Sequence, residues 1–149
     1  MKITSVLEDQ SIEKRIAITP DVAKKYISLG FELSLQENYG VHLGISDDIF
    51  EDIGAKIFKD EKKLIENCDL IIQLGLLSPE KLSLLKENQT VVGVLDPFKN
   101  KDKIESLAKK KVNLFSLELL PRITRAQSMD ILSSQAYLAG YKAVIESFA

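Results

Sequence analysis

Short apolar runs alternate along the whole chain with amphipathic segments of roughly ten residues, and that alternation leaves few folds open. Lys2–Leu7, Phe31–Leu35, Ala55–Phe58, Asp69–Leu74, Thr90–Leu95 and Val112–Leu117 read as strands. The first helix has Thr19 as its cap, Pro20 at its first position and Gly30 as its stop. Further helices are expected over Asp47–Ile53 between Ser46 and Gly54, from Asp60 to about Asn67, from Ser78-Pro79 to near Asn88, and over Asn100–Lys110. A long helix is expected from Gln127 to Ala149. Strands separated by helices make βαβ units, whose right-handed crossovers place helices on both faces of the sheet. The expected fold class is therefore α/β, a Rossmann-like or flavodoxin-like three-layer domain with a mainly parallel sheet. Ligands of such sheets bind beyond the C-terminal strand ends. That directs attention to the loops after Leu7, Leu74 and Leu117 and to Asp96-Pro97.

Composition removes several function classes. The 149 residues carry 20 basic and 22 acidic side chains with no basic block, which argues against nucleic acid as a partner. One cysteine, Cys68, excludes an intrachain disulfide and a multi-cysteine metal site, and one histidine, His42, excludes a His-rich centre. No apolar run approaches the ~20 residues needed to span a bilayer. The start, MKITSVLEDQ, lacks the apolar core of a secretory signal, so a cytoplasmic domain is expected. Seventeen of the basic residues are Lys; only Arg15, Arg122 and Arg125 offer the planar fork of donors that Lys cannot copy.

The seven glycines form neither G-x-G-x-x-G nor a P-loop, so the chain has no usual phosphate cradle. The most distinctive stretch is Pro121-Arg122-Ile123-Thr124-Arg125-Ala126-Gln127-Ser128-Met129-Asp130-Ile131-Leu132-Ser133-Ser134. It follows a strand and opens a helix. Arg122 offers bidentate donors and Gln127 a carboxamide. Asp130 can hold Arg122 or accept from an amide, and Ser133 lies on the same helical face. The set would suit a neutral planar amide such as nicotinamide. It equally suits a capped helix start with a structural Arg–Asp pair. Bland readings cover His42 as a loop-packing residue, Cys68 as an inert thiol and Lys109–Lys111 as a solvated helix end. The apolar stripe of the last helix, including Met129, Leu132, Ala136 and Val144, runs to the chain terminus without a stop signal, which suggests a further domain.

That fourteen-residue stretch and the A-G-Y-K-A-V after it resemble the NAD(H)-binding component of proton-translocating NAD(P) transhydrogenase. E-K-R-I-A-I-T-P, L-G-F, G-A-K-I and C-D-L-I-I-Q-L extend the resemblance over essentially the whole chain; R-I-A-I-T-P is shared with alanine dehydrogenase. The resemblance implies an Arg-x4-Gln-x2-Asp loop against the nicotinamide, matched by Arg122, Gln127 and Asp130, with Ser133 touching the carboxamide. It implies that residues 1–126 are the first segment of a discontinuous domain, and that 127–149 is a helix leading to a second domain that holds most of NAD(H). NADP(H)-binding and membrane components would be partners, and the component would be a homodimer, peripheral on the cytoplasmic face of the membrane. The chain alone would not be catalytically competent. The alternatives are a fragment of an alanine dehydrogenase-like oxidoreductase and a non-catalytic interaction module. Alanine dehydrogenase uses an Arg, a Lys and a His on its substrate; Arg15 matches the Arg, but Gln73 stands at the Lys position and no His occurs near Asp96-Pro97.

Overall fold

The computed structural model describes residues 1–148. Six strands form one sheet: β1 (Lys2–Ser5), β2 (Glu32–Gln36), β3 (Lys56–Phe58), β4 (Leu70–Ile72), β5 (Thr90–Gly93) and β6 (Asn113–Ser116). Their order is β3-β2-β1-β4-β5-β6, and every neighbouring pair is parallel. This is the Rossmann order rather than the flavodoxin one, and the chain reverses direction across the sheet between β1 and β4. Five helices make the crossovers: α1 (Pro20–Ser28), α2 (Asp47–Ile53), α3 (Glu61–Glu66), α4 (Pro79–Ser83) and α5 (Lys101–Lys109).

The three layers follow from strand periodicity. Successive side chains of a strand point to opposite faces, so in β4 Ile71 enters one core cluster while Leu70 and Ile72 pack against the other. Ile3, Leu33 and Leu35 meet Ala23 of α1 and Phe50 of α2 on one face. Ile71 and Val91 meet Ile65 of α3, Leu82 of α4 and Leu107 of α5 on the opposite face. Tyr39 and Phe50 stack edge to face, with ring centroids 5.9 Å apart.

The expected boundaries hold wherever local chemistry sets them. Thr19 caps α1, and Gly30 at φ 85° closes it, with Phe31 N–H donating to the Tyr26 carbonyl at 3.1 Å. Gly54 at φ 105° ends α2 in the same way. Two helices differ from expectation. The α4 helix stops at Ser83, because Leu85 turns into the core and Lys86 N–H donates to Gln89 Oε1 at 2.7 Å, closing a turn through Asn88 at φ 68°.

The last helix, α6 (Ile131–Ser147), begins four residues later than expected. Thr124–Met129 is a 3-10 segment, and Asp130 stands between the two in an extended conformation. Its carboxylate Oδ1 accepts from the Leu132 and Ser133 amides, both at 3.0 Å, and so starts the α-helix there. None of the side chains of α6 is buried, so the expected apolar stripe packs against nothing along most of its length; the helix rests on the 3-10 turn Leu117–Leu119. The expected end at Ala149 lies outside the described residues.

Candidate functional site

Two places carry chemistry. The first is the point where the chain reverses across the sheet. A cleft of about 570 Å³ lies beyond the C-terminal ends of β1, β4 and β5, lined among others by Glu8, Glu13, Gln73, Lys81 and Asp96. Glu8 accepts from the Leu74 amide at 2.5 Å. Burial pushes its carboxyl above the usual range, against the pull of the Leu74 and Gly75 amides. Lys81 is held by Glu61 at 2.9 Å and by the Leu7 carbonyl at 3.2 Å.

Gln73 is the most constrained polar residue of this cleft, with only 3% of its surface exposed. Its neighbours fix which way the amide points. The Val6 N–H can only donate, and it meets the amide atom facing it at 2.9 Å, so that atom is oxygen. Tyr39 Oη accepts from the Ala17 and Ile18 amides, both at 3.1 Å. With both lone pairs engaged, it must donate its own proton to Ser5 Oγ at 2.7 Å, and Ser5 passes its proton to Gln73 Oε1 at 2.8 Å. The chain of donors therefore runs Tyr39 to Ser5 to Gln73, and the Gln73 NH₂ is left facing the cleft. Ser5, Val6, Tyr39 and Gln73 lie at or just beyond the ends of β1, β2 and β4, and Ala17 and Ile18 lead into α1. Sequence reasoning placed Gln73 at its strand end but missed Ser5 and Tyr39, which carry no motif.

The second place is the segment after β6. Residues three apart stack on one edge of a 3-10 helix, and three or four apart on one face of an α-helix. Asp130 stands extended between the two helix types: its N–H donates to the Gln127 carbonyl at 3.3 Å across the last 3-10 turn, and Ser133 lies in the first turn of α6. Asp130 and Ser133 touch: Ser133 Oγ donates to Asp130 Oδ2 at 2.7 Å. That bond, with the amides it caps, holds the Asp130 carboxyl below its usual range, and Arg122 adds a smaller pull. Arg122 and Gln127 are exposed and make no hydrogen bond to another side chain among the described residues. The expected Arg122–Asp130 ion pair is absent among those residues. None of the four lines the switch-point cleft.

The remaining candidates are accounted for by structure. His42 Nε2 donates to the Lys14 carbonyl at 2.9 Å and Nδ1 accepts from Gln10 at 3.3 Å, tying its loop to the β1–α1 loop. Cys68 is buried and donates to the Ile65 carbonyl at 3.2 Å; burial pushes its thiol up to about 12. Glu118 accepts from the Asp96 amide at 2.6 Å and bridges the ends of β5 and β6. The Arg15 guanidinium is engaged by Glu13, which lines the cleft, and by Gln135.

Comparison with known proteins agrees with this fold. The chain is 39% identical over 151 aligned residues to the first part of the NAD(P) transhydrogenase alpha subunit of Rhodospirillum rubrum, covering 98% of this chain and 39% of the relative. The crystal structure of transhydrogenase from Sinorhizobium meliloti superposes with a TM-score of 0.90 at 35% identity, covering 98% of this chain and 43% of that one. An L-alanine dehydrogenase structure shares the fold, with a TM-score of 0.74 at 17% identity over 79% of this chain. The chain thus spans about two fifths of the length of its transhydrogenase relatives. The family model for the alanine dehydrogenase/PNT N-terminal domain matches residues 6–139, and the chain belongs to that family.

Proposed function

We propose that this chain is the N-terminal part of the NAD(H)-binding subunit of a proton-translocating NAD(P) transhydrogenase, and that it orients the nicotinamide of NAD(H). The observation that carries this reading is the junction after β6, where Asp130 caps α6 and holds the Ser133 hydroxyl while its own N–H donates to the Gln127 carbonyl at 3.3 Å. The residues present fit a flat carboxamide. Asp130 spends both oxygens on the helix start and on the Ser133 hydroxyl, so it fixes the seat. With its proton given to Asp130, Ser133 Oγ presents lone pairs that accept from a carboxamide NH₂. Gln127 and Arg122 have unspent donors for the carboxamide oxygen.

When bound, the nucleotides would supply the hydride chemistry, and exchange between two nicotinamide rings would require no acid or base from this chain. The chain's task is positioning, which governs the rate when two rings must meet face to face. Most of NAD(H) would be held by a second domain reached through α6, since no phosphate cradle occurs in this sequence. NADP(H) would come from a partner component, and a membrane component would couple the transfer to proton movement. The assembly would contain two copies of this chain at the cytoplasmic face of the membrane. No described helix is long and apolar enough to cross a bilayer.

The wiring of Gln73 argues against oxidation of an amino acid, although a Gln at this strand end departs from many transhydrogenases as well. A neutral carboxamide fixed by Ser5 and Val6 offers no cation to clamp a substrate carboxylate. The test is stopped-flow hydride transfer in the assembled enzyme. Gln127→Ala and Asp130→Ala are expected to slow transfer more than they weaken NADH binding measured by titration. Wild-type transfer rates in both variants would remove these residues from the site.

A further inference from the structure

The helix that carries half of the proposed seat is held to the rest of the molecule by little. Its side chains otherwise bond within the helix itself: Ser133 to Asp130, Ser134 to the Ile131 carbonyl, Ser147 to the Val144 carbonyl, and Lys142 to Glu146. One side-chain hydrogen bond leaves it among the described residues. Arg15 Nη1 donates to Gln135 Oε1 at 2.6 Å, across 120 positions of sequence. Gln135 lies one turn into α6, two residues after Ser133 and on a different face of the helix, so the bond holds the helix as a body.

The guanidinium that reaches Gln135 does not swing freely. Glu13 grips its other side through two oxygens, Oε1 with Arg15 Nε at 2.8 Å and Oε2 with Nη2 at 2.6 Å. Glu13 Oε1 also accepts the Arg15 backbone amide at 2.9 Å, so fork and backbone are fixed by one carboxylate. The third side of the fork is then aimed at α6. We infer that Arg15, braced by Glu13 and bonded to Gln135, is a positioning residue that sets the direction of α6 and hence the seat formed by Arg122, Gln127, Asp130 and Ser133.

This assignment rests on the proposed nicotinamide seat for its functional half, but its structural half stands alone. It also gives Arg15 partners that need no substrate: the fork recognises Glu13 and a helix, and a substrate carboxylate would have to displace both. Lysine cannot replace it, because one ammonium cannot fill a two-oxygen grip and reach a third group in fixed directions.

The experiment uses Arg15→Ala, Arg15→Lys, Gln135→Ala and the Arg15→Ala/Gln135→Ala pair. Hydrogen exchange on the chain is expected to quicken about threefold across residues 131–137 in each variant, the size of a lost exposed charge-assisted bond, with no further gain in the double variant. Circular dichroism and the unfolding midpoint, near wild type, show that the variants fold. In the assembled enzyme each variant is expected to lower the hydride-transfer rate several-fold while leaving the NADH dissociation constant unchanged. Unchanged exchange in Arg15→Ala overturns the brace. Faster exchange with wild-type transfer, while Gln127→Ala slows transfer, overturns the positioning role and leaves the seat standing. Loss of effect in Gln127→Ala and Asp130→Ala overturns the seat, and the exchange result then decides the brace by itself.

Discussion

At the scale of single residues, a buried amide and a buried thiol make opposite predictions. Gln73 is an acceptor for two donors that have no other partner, so Gln73→Lys strips both of a bond and adds an ammonium at the cleft. Unpaired buried donors cost more than the bond itself is worth. Denaturant unfolding of Gln73→Lys is expected to show a loss of roughly 2–4 kcal/mol. A midpoint equal to wild type would mean that the Tyr39–Ser5–Gln73 chain contributes nothing. Cys68 is protected rather than active. Its thiol, pushed up to about 12 by burial, stays protonated at pH 8 and is covered by core residues. A disulfide reagent such as DTNB should leave it untouched in the native chain and titrate it fully in guanidinium; prompt labelling of the native chain would contradict this burial.

At the scale of elements, β4 and β5 approach more closely at one position than any side chain allows. A Cβ on Gly93 would collide with the Gln73 backbone oxygen, and Gly93 has no unusual φ, so the requirement is space rather than conformation. Gly93→Ala should therefore cost roughly 1–3 kcal/mol by forcing the strand ends apart. Denaturant titration measures it, and a change under 0.5 kcal/mol, the ordinary surface scatter, would show that the ends yield freely. Elements of this kind mark the limit of what the sequence shows. Gly30 and Gly54 are legible as helix stops because a stop needs only local chemistry. Gly93 reads as part of a strand, since the close approach that demands it joins residues 20 apart. The six strands and their parallel order of connection follow from alternation alone. The start of α6 does not: Asp130 reads as a ligand residue, and its competing role as the cap that ends a 3-10 segment is visible only in the backbone. The proposed seat is a local motif and so can be read from the sequence, whereas Ser5, Tyr39 and the Arg15–Gln135 bond join distant parts of the chain with no local signature.

At the scale of the whole molecule, burial is unequal across the sheet. The face under α1 and α2 is covered over β1, β2 and β3, and α3, α4 and α5 cover the opposite face over β1, β4 and β5. Over β5 and β6 the first face is open, and over β4 Leu70 and Ile72 are only half-covered. Leu70, Val92, Phe115 and Leu117 line a shallow hollow there of about 450 Å³, and Phe115 keeps 59% of its surface exposed. Beside β6, α6 exposes Tyr137, Leu138, Tyr141 and Val144. A monomeric protein rarely leaves contiguous apolar surface of more than a few hundred Å² to water. Such a surface binds hydrophobic dyes even when the fold is native. The chain should therefore enhance ANS fluorescence in native buffer while its unfolding stays cooperative, which separates an open native face from a loosened core. Phe115→Ser is expected to reduce that enhancement by removing the largest apolar group in the hollow. Its unfolding midpoint should move by about 0.5 kcal/mol or less, because an exposed edge-strand side chain contributes little packing. Leu107→Ser, by contrast, would open the core under α5, raise dye binding and lose stability, since that side chain is 2% exposed. If native wild-type chain fails to bind the dye, or if Phe115→Ser binds as much as wild type, the hollow over β5 and β6 is not the dye's site and the open face is refuted.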